Sequence, residues 1–185
     1  ILEGYKLADK MKAHGVGALT FSDWWAYKYE VIHAIPYNAA IMAKEGVTTA
    51  INSDDDEMAR RLNQEAAKTI KYGDMSELEA WKMVTINPAK LLHIDDRTGS
   101  LREGKDADIV LWDGHPLSVY TKAEKTLVDG AVYFDLAQDQ EKRLAMAQEK
   151  NDLIQIMISD KSGGSGPKRA PRKRDRIDFE CETIN

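Results

Sequence analysis

The chain has 185 residues, of which 43% are hydrophobic and 31% are charged, and its formal net charge is −5 at pH 7. This composition is typical of a soluble globular protein of about one domain, and it excludes a disordered or fibrous chain. The longest apolar runs, such as Ile109–Trp112, are far shorter than the roughly 20 residues that a transmembrane helix requires. We therefore expect neither a membrane-spanning segment nor a membrane partner.

Charge is unevenly distributed along the chain. Residues 161–185 carry seven basic and four acidic side chains, a net charge of +3, which leaves −8 for residues 1–160. An acidic body repels nucleic acid, so we expect no nucleic-acid partner. The basic segment includes the Gly- and Ser-rich linker 162–167 and has few apolar residues, which predicts a flexible basic tail over 161–185.

The two ends of the sequence say little about where the protein works. Residue 1 is isoleucine and no signal peptide is visible, so we expect this sequence to be part of a longer chain. A soluble protein of the cytoplasm or of the periplasm is compatible with these features. The single cysteine, Cys181, excludes an internal disulfide and a cysteine-only metal cluster within these residues.

Residues 1–94 alternate helical and extended patterns. Helices are predicted over 5–14, over 37–44, from Asp55 to Gly73, over 76–85 and over 87–92, and strands over 18–21 and 47–51. Alternation of this kind predicts an α/β domain with parallel strands.

Several residues have the pattern of helix ends. Gly15 follows the first helix as a C-cap, and Ser22-Asp23 is suited to cap the segment that follows the first strand. Ser76 and Glu79 form a capping box, and Asn87-Pro88 has the pattern of an N-cap followed by proline at the first helical position.

The pattern changes at Asp95. Gly and Asp turns separate short strands predicted over 107–112, 126–128 and 131–134, and Asp129-Gly130 is a strong signal for a two-residue hairpin. This predicts a small β unit over 95–135. A helical pattern follows over 136–160.

Three carboxylates follow the apolar strand that ends at Ile51. Ligands bind at the carboxyl ends of strands in α/β sheets, where an acidic side chain can ligate a divalent metal or accept a proton from a metal-bound water. The alternative is helix capping, because Asp at a helix N-terminus accepts hydrogen bonds from free backbone amides. On spacing alone, capping is favoured for Asp54, Asp55 and Asp56.

A second strand end carries an aromatic cluster. Ser22, Asp23, Trp24 and Trp25 follow the strand 18–21 directly, with Tyr27 close behind. Aromatic rings beside polar side chains can line a substrate pocket. They can equally pack the following segment onto its neighbours, and the pattern leaves both interpretations open.

The four histidines, His14, His33, His93 and His115, lack the spacing of paired metal ligands. A structural role is therefore favoured for each of them. The sequence also contains no glycine-rich phosphate loop and no nucleophile elbow.

Residues 85–112 form a distinctive run, TINPAKLLHIDDRTGSLREGKDADIVLW. This run resembles the C-terminal signature of the amidohydrolase superfamily, in particular its imidazolonepropionase-like and cyclic-amide branch. In that family a segment of the type Gly-x-Leu-x-x-Gly-Lys-x-Ala-Asp enters a small β-sandwich. The resemblance continues through Val128-Asp129-Gly130 and covers about residues 1–135.

The resemblance implies a fold larger than this chain, a metal-dependent (β/α)8 barrel with an appended β-sandwich. Residues 1–94 would form the C-terminal part of the barrel, about strands 6–8, residues 95–135 a segment of the β-sandwich subdomain, and residues 136–160 a C-terminal helix. Strands 1–5 would be missing, together with the His-x-His pair of strand 1, the strand-4 ligand and the histidines of strands 5 and 6. His93 and His115 depart from the family pattern.

Asn52-Ser53-Asp54-Asp55 resembles the strand-8 motif of the family. The resemblance places Asp54 at the aspartate that contacts the metal and accepts a proton from the attacking water. It therefore favours a metal-ligating and catalytic role for Asp54 over capping. The implied cofactor is a divalent metal ion, zinc, whose remaining ligands would lie outside this chain.

The implied activity is hydrolysis of carbon–nitrogen bonds in small non-peptide or cyclic amides, by a protein that is inactive as this fragment alone. Asn52, Ser22, Asp23, Trp24 and Trp25 are the candidate substrate-binding residues. The partners would be the small amide substrate and the missing N-terminal part of the barrel, and a homo-oligomer is compatible with the sequence. The alternative function is a non-catalytic barrel remnant that docks onto another chain.

Overall fold

The computed structural model describes residues 1–162, so the predicted basic tail lies outside the described residues apart from its first two positions. The chain divides into two compact units, Ile1–Asp139 and a second unit that begins at Gln140. No helix in the described part is long and apolar enough to cross a bilayer.

The first unit contains six helices and two small sheets, and a seventh helix runs from it into the second unit. The helices are α1 (Ala8–His14), α2 (Asn38–Lys44), α3 (Asp56–Ala59), α4 (Leu62–Gly73), α5 (Glu77–Lys82), α6 (Ile86–Leu91) and α7 (Leu136–Ser162). The strands are β1 (Ala18–Thr20), β2 (Thr49–Ile51), β3 (Ile109–Trp112), β4 (Ala123–Val128) and β5 (Ala131–Asp135). Short 3₁₀ turns occupy Gly4–Leu7 and Tyr29–Val31.

β1 and β2 pair in parallel along their whole lengths, which confirms the parallel arrangement predicted for residues 1–94. The backbone groups of Ala18 and Thr20 bond to β2 and the residues that flank it, so those of Leu19 face the opposite edge of β1. On that edge the carbonyl of Leu19 accepts a 2.7 Å hydrogen bond from the amino group of Ile1. The first residue therefore lies beside β1, on the side away from β2.

The buried side chain of Asn38 joins three segments around this strand pair. Its amide nitrogen donates to the carbonyl of Ile1 at 3.1 Å and to the hydroxyl of Thr20 at 2.8 Å. Its amide oxygen accepts from the backbone N–H of Tyr5 at 2.8 Å. A buried amide without partners would cost about 1–3 kcal/mol. Here the amide is bonded at both ends, and it holds α2 against β1 and the N-terminal segment.

The main hydrophobic core lies where α2, α4 and α5 pack around β2, and its buried members include Ala39, Ala40, Ile51, Ala66, Met75, Ala80 and Met83. Most of these side chains are small, so the helices approach closely. A Cβ at Gly73 would lie 2.1 Å from the Cβ of Ala40, which leaves no room for a larger residue at this contact. Gly73 is the last residue of α4, and the left-handed residue that follows it is Asp74.

Two helix predictions are wrong in part. The long helix predicted from Asp55 to Gly73 is interrupted before α4, because Arg61 has a non-helical backbone with φ −134° and ψ 32°. Asn87 does not cap α6 but lies inside it, and its side-chain nitrogen donates to the carbonyl of Thr49 at 2.8 Å. This bond makes Asn87 a tie between α6 and β2.

Other local predictions are confirmed. Gly15 ends α1 in the left-handed region with φ 83°. The hydroxyl of Ser76 caps α5 by accepting the N–H of Glu79 at 3.2 Å. α7 covers the helix predicted after residue 135.

β3, β4 and β5 form an antiparallel sheet in that order. Asp129 and Gly130 join β4 to β5 and both have positive φ, 50° and 79°. Two successive residues with positive φ are what a two-residue type I′ hairpin requires. The predicted hairpin is therefore confirmed, and the β unit of residues 95–135 contains this three-stranded sheet.

Residues 95–106, called the signature loop below, are held together by charged side chains. The ammonium group of Lys105 donates to the carbonyl oxygens of Asp95 and Thr98, the second at 3.0 Å. Arg97 pairs with Asp106 at 2.8 Å. These contacts close the loop on itself although it contains no helix or strand.

The signature loop also fits tightly between α6 and the sheet. Gly99 has φ 81°, and a Cβ there would lie 2.7 Å from the Cβ of Ala89 in α6. Beyond the loop, the carboxylate of Asp108 accepts the backbone N–H of Asp129 at 3.1 Å. The residues that carry the family resemblance thus build the connection between α6 and the antiparallel sheet.

We predict that Lys105→Met lowers the free energy of unfolding by about 1–3 kcal/mol, because two loop carbonyls lose a charged donor. Urea unfolding of the 185-residue chain measures this loss. Lys10→Met, which removes an exposed lysine of α1, is the control and should change stability by no more than about 0.5 kcal/mol. Equal effects of the two substitutions would show that Lys105 does not hold the loop.

Candidate active site at the carboxyl ends of two parallel strands

β1 and β2 end at the same edge of their parallel pair. The ladder continues one residue past β2, where the N–H of Asn52 donates to the carbonyl of Thr20 at 3.0 Å. The segments that follow, 21–25 and 52–56, therefore leave the pair side by side, as strand ends do in an α/β sheet. Together they carry all six residues predicted for the site.

The aspartates that follow β2 have different surroundings. Asp55 is the N-cap of α3, and its carboxylate accepts the N–H groups of Glu57 and Met58, each at 3.0 Å. Asp56 lies in the first turn of that helix. The carboxylate of Asp54 is exposed and forms no hydrogen bond or ion pair with the described residues. Asp55 is therefore the residue that caps α3, and Asp54 does not contribute to the cap.

Ser22 and Asp23 do not cap a helix, and that prediction is wrong. The next helical turn after β1 begins only at Tyr29. Ser22 is buried and its hydroxyl donates to a carboxylate oxygen of Glu65, while Asp23 pairs with Lys68 at 2.6 Å. Both residues therefore bind side chains of α4, which follows β2 in the chain.

Glu65 is a buried carboxylate with three side-chain donors. Only 2% of the residue is exposed. It accepts hydrogen bonds from Ser22, from Lys68 at 2.6 Å and from Arg61 at 3.2 Å. Burial acts to raise the pKa of Glu65, but the bonds from Lys68 and Ser22 and the charges nearby outweigh it and hold the pKa below its ordinary value of 4.5. Glu65 is therefore charged although it is buried.

Sequence reasoning missed Glu65 and Lys68. A signal was present, because Leu62, Ala66 and Thr69 place position 65 on the buried side of α4. A carboxylate on the buried side of a helix needs a partner in the interior. The sequence alone does not reveal that this partner is Ser22, 43 residues away.

Residues 21–28, called the aromatic loop below, contain a set of edge-to-face ring contacts. The ring centroids of Trp24 and Tyr27 are 5.0 Å apart, and those of Trp24 and Phe21 are 6.3 Å apart. Trp25 contacts Tyr72 of α4 at 5.1 Å. Such pairs contribute beyond the area that they bury. The aromatic loop is thus packed on itself and on α4.

Three polar atoms at this edge are buried without a hydrogen-bond partner among the described residues. They are the indole nitrogens of Trp24 and Trp25 and the side-chain oxygen of Asn52. Trp24 also has φ 72°, a conformation that is rare for a bulky side chain. Backbone strain of this kind concentrates at functional sites, and a buried polar group without a protein partner is often bonded to a water molecule or an ion.

The described residues do not by themselves form a metal site. Nowhere within residues 1–162 do three or more His, Cys, Asp or Glu side chains come together in a way that could hold a metal ion. His115 instead accepts the N–H of Leu117 at 3.3 Å and lies 3.5 Å from Glu77. The metal-ligating role predicted for Asp54 therefore stays a prediction.

Residues 12–159 match the sequence model of the amidohydrolase family. The chain belongs to this family. Amidohydrolase tasK from Hapsidospora irregularis is 34% identical to this amidohydrolase-family chain over 116 residues, which are 62% of this chain and 12% of that protein. An imidazolonepropionase from Thermoplasma volcanium is 36% identical over 78 residues, 41% of this chain and 19% of that protein. The resemblance carried by residues 85–112 is confirmed.

A solved structure of an amidohydrolase from Thermotoga maritima matches 72% of this chain with a TM-score of 0.66 and 30% identity. The match covers 35% of that structure. This amidohydrolase-family chain therefore spans about a third of the solved structure and a smaller share of the curated relatives. Its α/β fold is one that amidohydrolase structures contain.

We predict that Asp55→Ala costs about 1 kcal/mol of stability, because the first turn of α3 loses its side-chain acceptor. Asp54→Ala is the matched control, since it removes the adjacent carboxylate that caps nothing, and it should change stability by less than about 0.5 kcal/mol. Thermal or urea unfolding of both variants distinguishes them. A larger loss from Asp54→Ala would return the capping role to Asp54.

The lowered pKa of Glu65 predicts how the stability of the folded chain depends on pH. Because the pKa of Glu65 is lowered on folding, its carboxylate stabilises the folded chain above the unfolded value of about 4.5, and this contribution is lost as the pH falls through the folded pKa. The free energy of unfolding should therefore fall more steeply below pH 5 in the native chain than in Glu65→Gln. Urea unfolding between pH 7 and pH 3.5 measures both curves. Parallel curves would contradict the assigned charge.

Proposed function

We propose that this chain is the C-terminal part of a metal-dependent amidohydrolase that cleaves carbon–nitrogen bonds in small non-peptide or cyclic amides. In this proposal β1 and β2 are barrel strands 7 and 8, and the segment at Ile1 follows strand 6. The position of Ile1 beside the outer edge of β1 supports this order. The family membership and the partial coverage of an amidohydrolase structure support it as well.

The same proposal assigns the rest of the chain. Residues 1–94 would belong to the barrel, 95–135 to a β-sandwich subdomain and 136–160 to a C-terminal helix. The antiparallel order β3-β4-β5 supports a separate β unit after residue 94. The other strands of the barrel would come from residues outside this 185-residue chain.

Asp54 carries the catalytic proposal. It lies just past the carboxyl end of β2, and its carboxylate is exposed and unpaired within the described structure while Asp55 caps the helix. An unengaged carboxylate at a strand end can accept a proton from an attacking water and can ligate a metal. We assign both roles to Asp54.

A divalent metal ion, zinc in this proposal, would lower the pKa of a bound water toward neutrality. This chain would offer it only the carboxylate of Asp54, and the other ligands would come from outside these residues. Asp54 would accept a proton from the attacking water and donate it to the nitrogen of the cleaved C–N bond, which stays attached to the product when the amide is cyclic.

Asn52, Trp24 and Trp25 are proposed to face the substrate. Each has a buried polar side-chain atom without a partner among the described residues, two of them donors and one an acceptor. An amide carries one acceptor and one donor, its carbonyl and its N–H, so this set is complementary to an amide substrate. Ser22 and Asp23 remain in the proposed site, bound to α4.

We predict that Asp54→Asn, made in the complete enzyme, lowers kcat by roughly 100-fold or more, the usual worth of a general base. Asn keeps the shape of Asp but removes its charge and basicity. Asp56→Asn is the control, because Asp56 only occupies the first turn of α3. Turnover of small cyclic amides and the thermal midpoint are measured for both variants.

Near-native turnover in Asp54→Asn with an unchanged midpoint would contradict the catalytic assignment. The complete enzyme is identified by a coding sequence that continues upstream through a His-x-His pair. A coding sequence that starts just before Ile1 would instead favour the alternative of a non-catalytic module.

A further inference from the structure

Glu65 is a buried, charged residue of α4, so it lies outside the two segments that follow β1 and β2. We propose that Glu65 is a positioning residue, which fixes the aromatic loop against α4 and so orients Trp24 and Trp25 at the edge of the β1–β2 pair. The importance of that orientation for substrate binding rests on the function proposed above. The structural claim can be tested without any substrate.

Glu65 holds the start of the aromatic loop by two routes. One route is direct, because one carboxylate oxygen accepts the hydroxyl proton of Ser22. The other runs through Lys68, whose ammonium group lies 2.6 Å from Glu65 and 2.6 Å from Asp23. Two consecutive loop residues are thus tied to one carboxylate, by hydrogen bonds in which at least one partner is charged. Such bonds are about twice as strong as neutral ones.

The backbone of the aromatic loop makes few bonds of its own. Among the described residues, the only backbone N–H of residues 22–28 that donates to another backbone group is that of Ala26, to Val31 at 3.1 Å. The conformation of the loop therefore depends on its side chains. Glu65 and Lys68 hold its beginning, and Tyr72 of the same helix contacts the ring of Trp25.

The loop conformation is one that needs such support. Trp24 and Ala26 both have positive φ, 72° and 44°, although neither is glycine. Residues in this region persist only where the surrounding structure fixes them. The ties from α4 at Ser22 and Asp23, together with the ring contact at Trp25, supply that fixation on both sides of Trp24.

Stability alone does not account for a buried carboxylate at this position. Replacing a buried ion pair by apolar residues is often neutral or stabilising, whereas removal of one partner is costly. What the charged group adds is a defined geometry for the groups that bind it. Here those groups belong to Ser22 and to Lys68, which in turn pairs with Asp23.

The test uses the indole N–H signals of the 185-residue chain in a nitrogen–proton correlation spectrum. The chain has four tryptophans, so Trp81 and Trp112 serve as internal references for Trp24 and Trp25. In Glu65→Gln and in Lys68→Met, the signals of Trp24 and Trp25 should move toward those of free tryptophan. Their exchange with water should rise about tenfold or more, as loss of a charge-assisted bond allows.

Two further variants serve as controls. Lys82→Met breaks an ion pair with Glu79 of the same 2.6 Å length on α5, and the signals of Trp24 and Trp25 should stay in place. Lys68→Arg keeps the positive charge, so Trp24 and Trp25 should give the same signals as in the native chain. Lys68 is partly exposed, so its variants keep the test usable if Glu65→Gln does not fold.

Unchanged signals of Trp24 and Trp25 in Glu65→Gln would overturn the proposal, and unchanged signals in Lys68→Met would do so if Glu65→Gln does not fold. So would equal shifts of all four tryptophans, because Glu65 would then support the whole unit rather than the loop. No substrate enters this measurement. A native result for Asp54→Asn turnover would therefore remove the proposed function and leave the loop assignment standing.

Discussion

The parallel pairing of β1 and β2 is the constraint on which the candidate site depends. Parallel neighbours require a crossover connection, and residues 21–48 provide it, with α2 as its helix. Asn38, the first residue of α2, bonds the crossover to Thr20 and Ile1. With the direction of both strands fixed, the aromatic loop and the segment 52–56 leave at one edge. Any shift of one strand against the other would separate them.

The interior beside this strand pair contains polar side chains. Its fully or nearly fully buried polar residues are Thr20, Ser22, Asn38, Thr49, Glu65 and Thr69. An apolar core tolerates several packings of similar energy, whereas a buried polar network is stable only when each group meets its partner. The apolar core of α2, α4 and α5 supplies burial, and the polar groups around β1 and β2 specify the geometry. The segments 21–25 and 52–56 are thus attached to the part of the unit whose geometry the buried polar groups specify.

Local patterns predicted those elements that local interactions form. The Asp129-Gly130 hairpin, the Gly15 end of α1 and the parallel alternation in residues 1–94 all follow from backbone preferences or from periodicity. The predictions failed where a polar side chain has a partner far away in the chain. Ser22 and Asn87 both have the residue types of helix caps, but they bind Glu65 and the carbonyl of Thr49.

The candidate site was predictable to a similar degree. The strand-end motif and the aromatic cluster follow from sequence, because parallel strands bring their ends together. The difference between Asp54 and Asp55 does not, since both lie between β2 and α3 and only the backbone path decides which carboxylate reaches the free amides. Glu65 was hidden for a different reason, because its partner Ser22 comes from the other strand end, 43 residues away.

The signature loop has a consequence for how such chains evolve. Lys105 and the Arg97–Asp106 pair close the loop, and Gly99 allows it to approach α6 closely, so these residues serve folding. Selection for a foldable protein is enough to preserve them, whatever happens at the strand ends. A gene copy that lost the carboxylate of Asp54 would still fold this segment and would still resemble its relatives. The recognisable part of the sequence therefore reports common descent and architecture, while chemical competence in the function proposed above would depend on the strand ends.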